Sequence, residues 1–250
     1  MRALYIFPHP DDESFGPAPA IASQLRAGHE VHLLTYTRGG ATKVRHKYGY
    51  SVEEMGKVRY HEMQNVSRTL GLSSLEVLDL PDSGLKHMDP IDLEQVTENH
   101  IRKIRPDVIV TYAVHGISGF HDHLVSHAVV KRVFCKLRNE ERSGSPRRLA
   151  FFTLAHSEVD DGKFRLQVST EEEIDCATRV DDEDIQKGRI ALDCYKTYQD
   201  VIKAANVLER TGRTVYFEFF QENYNPHALS LFQDISPNRG APADHGTTQE

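Results

Sequence analysis

The chain has 250 residues, 39% of them hydrophobic, which suffices for one sizeable core but not for several independent domains. Its formal net charge of -7 excludes the basic face that nucleic-acid binding needs and points to a small-molecule partner, leaving a homo-oligomer open. No stretch approaches about 18 consecutive apolar residues, Met1-Arg2 leads directly into a strand-like run, and three cysteines form no CxxC pair; these features predict no membrane span, no signal peptide and reduced thiols in a cytoplasmic setting.

Ala3–Phe7 is a short apolar run that stops at Pro8, and Ile21–Ala27 reads as helix up to Gly28. Val31–Tyr36 is a second strand, followed by the Thr37-Arg38-Gly39-Gly40 turn and a polar stretch to Tyr50 that is expected to be a mobile loop. Ser51 with Glu54 three residues later is a capping-box signature, and the helical pattern then runs to Leu70 before Gly71. A strand at Leu75–Leu80, a helix at Ile91–Ile104, a strand at Val108–Tyr112 and a helix at Leu124–Leu137 continue the alternation. Such alternation predicts an α/β chain of βαβ units, with a mostly parallel sheet covered by helices on both faces. After Arg148–Leu154 the pattern loosens, leaving a helix near Glu183–Tyr198 and a strand at Val215–Phe220. We expect one domain over residues 1–236 and a disordered tail over 237–250, which is rich in Pro, Gly, Asp and Thr.

In parallel α/β sheets, ligands bind beyond the carboxyl ends of the strands. Three polar clusters fall there: His9-Pro10-Asp11-Asp12-Glu13 after the first strand, Asp82 after the third, and His115 to His123 after the fourth. The first could be a solvated turn whose Asp11 or Asp12 caps the next helix, but a second histidine cluster at a neighbouring strand end favours a metal site of imidazole and carboxylate ligands. His123 and His127 keep a helical spacing with Val130, Phe134 and Leu137, so both point inward, and a metal pair at i, i+4 stays open. Arg59 lies near the centre of the stripe formed by Val52, Met55, Met63, Val66 and Leu70, where a charge needs a partner: Glu62, solvent reached by its long stem, or a substrate.

The segment Pro8-His9-Pro10-Asp11-Asp12-Glu13, together with Gly119-Phe120-His121-Asp122-His123-Leu124-Val125-Ser126-His127, resembles the PIG-L/LmbE family of zinc N-deacetylases. Weaker matches at Gly56 to Glu62, Pro81 to Gly84, Lys187 to Gln199 and Phe217 to Phe219 extend the resemblance over roughly residues 1–220. It implies a Rossmann-like fold and removal of an N-acetyl group from a small N-acetylglucosamine-type compound. It further implies zinc held by His9, Asp12 and His123, Asp11 as general base, and Asp82 as a sugar-binding residue, with Arg59 a donor to substrate hydroxyls. Where the family usually reads Gly-His-Pro-Asp-His, this chain has Phe120 at the histidine that helps hold the oxyanion. His121 is the nearest replacement, His115 competes for the role, and the metal acting alone is the third option. Two other functions share these features: an amidase acting on another acyl-amine or a thiol conjugate, and a non-catalytic sugar- or nucleotide-binding module on the same scaffold. The chain contains no GxGxxG, which weakens the dinucleotide version of the latter.

Overall fold

The computed structural model of the chain describes residues 1–140, 144–155, 166–210 and 212–237. Strand β1 (Arg2–Phe7) alternates between two buried faces: Ala3, Tyr5 and Phe7 join one apolar cluster, and Leu4 and Ile6 join another. Apolar residues at every position of a strand require cover on both sides, and that is the arrangement of a parallel sheet clad in helices. The first cluster takes in Ile21 of helix α1 (Ala18–Arg26), Met63 and Val66 of α3 (Val52–Leu70), and Ala191 and Leu192 of α6 (Asp182–Cys194). The second takes in Leu93 and Ile101 of α4 (Pro90–Ile104) and Val130 and Phe134 of α5 (His121–Asn139).

The remaining strands are β2 (Glu30–Thr37), β3 (Ser74–Leu80), β4 (Val108–Tyr112), β5 (Arg148–Thr153), β6 (Cys176–Arg179) and β7 (Thr214–Phe219). All seven join one sheet in the order β3-β2-β1-β4-β5-β7-β6. β1 pairs in parallel with both β2 and β4, so the order reverses there and a crevice opens between their carboxyl ends. β7 inserts antiparallel between β5 and β6, with Thr153 opposite Tyr216, which brings the beginning of β7 to the same edge as the ends of the parallel strands.

The expected elements from β1 to α5 are present, with boundaries shifted by one to three residues. Ser51 caps α3 through a complete capping box: its side chain accepts from the Glu54 N–H, and the Glu54 carboxylate accepts from the Ser51 N–H at 2.8 Å. The stretch expected to be a mobile loop is instead built. It contains a short helix, α2 (Arg45–Tyr48), held by the Lys47–Asp200 ion pair and by a Thr42–Tyr198 hydroxyl contact of 2.9 Å. The helix expected near Glu183–Tyr198 ends at Cys194 and gives way to a 3-10 turn at Lys196–Tyr198, then α7 (Gln199–Ala204) and α8 (Val207–Arg210). The tail residues 238–250 lie outside the described residues. No helix among the described residues is long and apolar enough to cross a membrane.

Candidate metal and catalytic centre

β1 ends at Phe7, and its loop turns back at once because the Asp12 carboxylate accepts the His9 N–H at 2.8 Å. α1 does not begin until Ala18 and carries no side-chain cap, so neither Asp11 nor Asp12 serves as its helix cap. Asp12 is freed for other contacts. One of its oxygens accepts the Tyr112 hydroxyl at 2.7 Å and lies 3.4 Å from His123 Nε2. The other lies 3.6 Å from His9 Nδ1.

The two imidazoles are oriented from behind. His123 Nδ1 donates to the Gly116 carbonyl at 2.9 Å, which leaves the Nε2 lone pair facing Asp12. Gly116 has φ 62°, and a Cβ there would meet the His123 Cβ at 2.8 Å, so the close approach of this loop requires glycine. The Tyr112 ring stacks on His123 at a centroid distance of 4.2 Å and fixes its plane. His9 Nε2 faces the Asp122 carboxylate at 3.2 Å and Asp82 at 3.3 Å, leaving Nδ1 for the Asp12 side. Histidine backed by a carboxylate or carbonyl acceptor is the arrangement that fixes a metal-ligating tautomer.

Donor atoms of His9, Asp12 and His123 all lie within 4.8 Å of one another, as do those of His9, Asp82 and Asp122. Burial opposes charge on His9, but Asp12 and Asp122 outweigh it and raise its pKa to about 10. Burial lowers the pKa of His123, which favours the neutral imidazole. The carboxylates of Asp12, Asp82 and Asp122 around two imidazoles leave a negative charge excess that a divalent cation would neutralise, and the donor set of imidazole nitrogen and carboxylate oxygen suits zinc. His127 is not part of this group. Its Nδ1 is bonded to the Tyr112 carbonyl at 2.9 Å and its ring packs on Phe151.

Asp11 adopts φ 92°, a conformation held by its surroundings. Its N–H donates to the Tyr195 hydroxyl at 2.8 Å, and Tyr195 in turn donates to Glu13. Arg59 donates to the Asp11 carboxylate at 2.8 Å, to the Pro10 carbonyl at 2.6 Å and to the Gly39 carbonyl at 3.1 Å, with its guanidinium 4.1 Å from the Tyr198 ring centroid. Gly39 is tied to this arrangement, since a Cβ at its φ of 64° would meet Arg59 Nη1 at 2.3 Å. Burial raises the Asp11 pKa against the pull of Arg59, to about 7. A carboxylate poised near neutrality beside a metal group can both accept and return a proton.

Arg59, expected at the substrate, does line the cavity, yet it is 2% exposed and spends its donors on the β1 loop and Asp11. Asp82 also lines the cavity, and its carboxylate accepts the Ala41 N–H at 2.6 Å. His121 is exposed on the cavity wall at the start of α5. His115 is engaged elsewhere: its Nδ1 accepts the Ile117 N–H at 3.0 Å, and its Nε2 lies 3.4 Å from both Ser169 and Thr153. Phe120 stands at the rim with 63% of its surface exposed. Tyr112, Asp122 and Tyr195 are not among the site residues expected from the sequence. For Tyr112 a signal existed, because it is the last residue of β4 before the histidine-bearing loop; for Tyr195 none did, because its contact with Asp11 spans 184 residues.

The chain is 29% identical to a 1D-myo-inositol 2-acetamido-2-deoxy-α-D-glucopyranoside deacetylase of Thermomonospora curvata, covering 52% of this chain and 51% of that one. It spans about half the length of this and other curated relatives it matches. Among solved structures, a 4-carboxy-2-hydroxymuconate hydratase from Pseudomonas putida superposes with a TM-score of 0.65 at 14% identity, covering 89% of this chain and 97% of that one. A zinc-inhibited teicoplanin deacetylase also superposes with a TM-score of 0.65, at 15% identity over 88% and 97%. These superpositions establish a shared fold, on which hydration and hydrolysis both occur, so the reaction must be argued from the site. The family model described as GlcNAc-PI de-N-acetylase matches residues 4–134, just over half of the chain and the segment that carries every residue of the metal group; the chain belongs to the PIG-L family.

Proposed function

We propose that the chain is a zinc-dependent N-deacetylase that hydrolyses the acetamide of an N-acetylglucosamine-type substrate. The observation that carries this reading is the largely buried His9–Asp12–His123 group, both imidazoles locked by acceptors behind them, with Asp11 beside it lining the same cavity. When bound, a divalent ion lowers the pKa of a water toward about 7 and polarises a carbonyl oxygen. His9, Asp12 and His123 would hold that ion. Asp11 accepts the proton of the attacking water at its carboxylate and returns it to the departing amine nitrogen. Arg59 and Tyr195 keep Asp11 in its strained position, and Tyr112 keeps Asp12 and His123 in register. His121, which lines the cavity, would donate to the developing oxyanion where Phe120 cannot, and Asp82 would meet the sugar hydroxyls, with Arg59 acting through the Asp11 it holds.

The experiment is metal analysis of the purified chain, followed by an acetate-release screen across N-acetylglucosamine conjugates. Chelator-sensitive release is expected. A fully zinc-loaded protein that releases no acetate from any conjugate would refute the reading in favour of a binding module or of an amidase for another acyl-amine.

A further inference from the structure

The cavity over the metal group measures about 760 Å³, far more than an acetyl group needs. Its walls differ on the two sides of the metal group, and the strand order explains why. His9 follows β1 and His123 follows β4, so the metal group sits at the centre of the sheet edge, with the ends of β2 and β3 on one side and those of β5 and β7 on the other. On the β2–β3 side Thr42, Lys43, Asp82 and Ser83, which hydrogen-bond or carry charge, outnumber the small apolar side chains of Ala41 and Val44. On the β5–β7 side it is Phe152, Leu154, Leu166, Val207, Val215 and Tyr216. Val201 of α7 and Ala205 just after it add further apolar lining to the cavity. Thr153, Thr214 and Arg210 supply polar side chains there among the described residues. Ile117 and the exposed ring of Phe120 continue the apolar surface out to the rim.

A scissile amide with its carbonyl at the metal group sends its two substituents in opposite directions. The amino sugar fits the polar side, where hydroxyls find partners. The acyl substituent then runs along the apolar side, where burial of methylenes is the available source of affinity. We infer that this arm receives the acyl chain, so that amino sugars N-acylated with apolar chains longer than acetyl are cleaved as well as the N-acetyl compound, and faster. The inference rests on the hydrolase reading above and names its substrate class. In the reaction, water supplies the oxygen that forms the new bond to the acyl carbon, the C–N bond breaks, and the water protons pass to the amine and to solvent, giving a fatty carboxylate and a free amino sugar.

The test uses the zinc-loaded full chain and measures amine release from glucosamine N-acylated with acetyl, butanoyl, hexanoyl or octanoyl groups. The value of kcat/KM should rise about three- to fourfold per added methylene until the arm is filled. Ala205→Phe and Val201→Glu, which shorten or charge the arm, should each pull the octanoyl-to-acetyl ratio toward one. A series in which acetyl is best overturns the inference and leaves the hydrolase reading standing. A parallel series of alkyl N-acetylglucosaminides separates the other occupant: rising rates there with flat rates in the acyl series would place the aglycone in the arm and overturn the inference. If no amide is cleaved, the hydrolase reading fails, and calorimetric titration with octanoate and acetate decides the arm by itself. Tighter binding of octanoate, weakened by Ala205→Phe, supports it; equal binding of the two overturns it.

Discussion

Asp122 and His9 lie 113 residues apart in sequence, yet the Asp122 carboxylate sits 3.2 Å from His9 Nε2 while also accepting the Ser83 N–H at 2.8 Å. One carboxylate thus joins the loops after β1 and β3 to the first turn of α5. Asp122 is 2% exposed, so the orientation it imposes is not diluted by water. If zinc is held by His9, Asp12 and His123, Asp122 backs His9 from behind, and Asp122→Ala should leave the fold intact and weaken zinc binding by about 10–100-fold. Competition with a chromophoric chelator measures this directly.

The neighbouring aspartates of the β1 loop should separate cleanly. Asp12 faces both imidazoles and Asp11 faces Arg59, so Asp12→Ala should lower zinc content while Asp11→Asn retains it. Asp11→Asn should nevertheless lose activity by about 10²–10⁴-fold, the usual worth of a general base. Metal stoichiometry and turnover measured on the same preparations check both halves.

Arg59 should matter to stability as well as to turnover. Its guanidinium is buried against Asp11 and two backbone carbonyls, and removing one partner of such a pair leaves the other uncompensated, at a cost of roughly 3–5 kcal/mol. Arg59→Ala should therefore show a clear loss of stability in urea denaturation, and Arg59→Lys should recover only part of it because lysine cannot make the forked contact. Wild-type stability with a raised KM would instead return Arg59 to a role confined to substrate binding.

The two histidines near the Phe120 substitution should behave differently. His121→Ala should lower kcat by about 10²–10³-fold with little change in KM, as for the loss of one oxyanion donor. His115→Ala should act on folding, since it breaks the contacts to Ile117, Ser169 and Thr153 while kcat stays near that of the wild type. Steady-state kinetics at saturating zinc, paired with thermal melts, distinguishes the two.

The sequence by itself determined what depends on local chemistry. Apolar runs that stop at Pro8 or Gly71, a capping box at Ser51 and helical spacing along α3 and α5 placed the elements, and the β/α alternation placed the polar clusters at strand ends. That Arg59 needs a partner was likewise legible from its place in an apolar stripe, but whether it snorkels to solvent or stays buried was not, and the fold buries it. What Arg59 holds was not legible, since Pro10, Asp11 and Gly39 reach it only when the loops after β1 and β2 converge on α3. The hydrophobic pattern of β7 announced a strand, but a strand's period is the same in either direction, so only pairing with β5 and β6 decided that it runs antiparallel between them. Nor does any periodicity link Tyr195 to Asp11, or Val215 and Val207 to the end of β4. Those contacts exist because separate segments must bury their apolar faces against one sheet, and packing of that kind is settled in three dimensions.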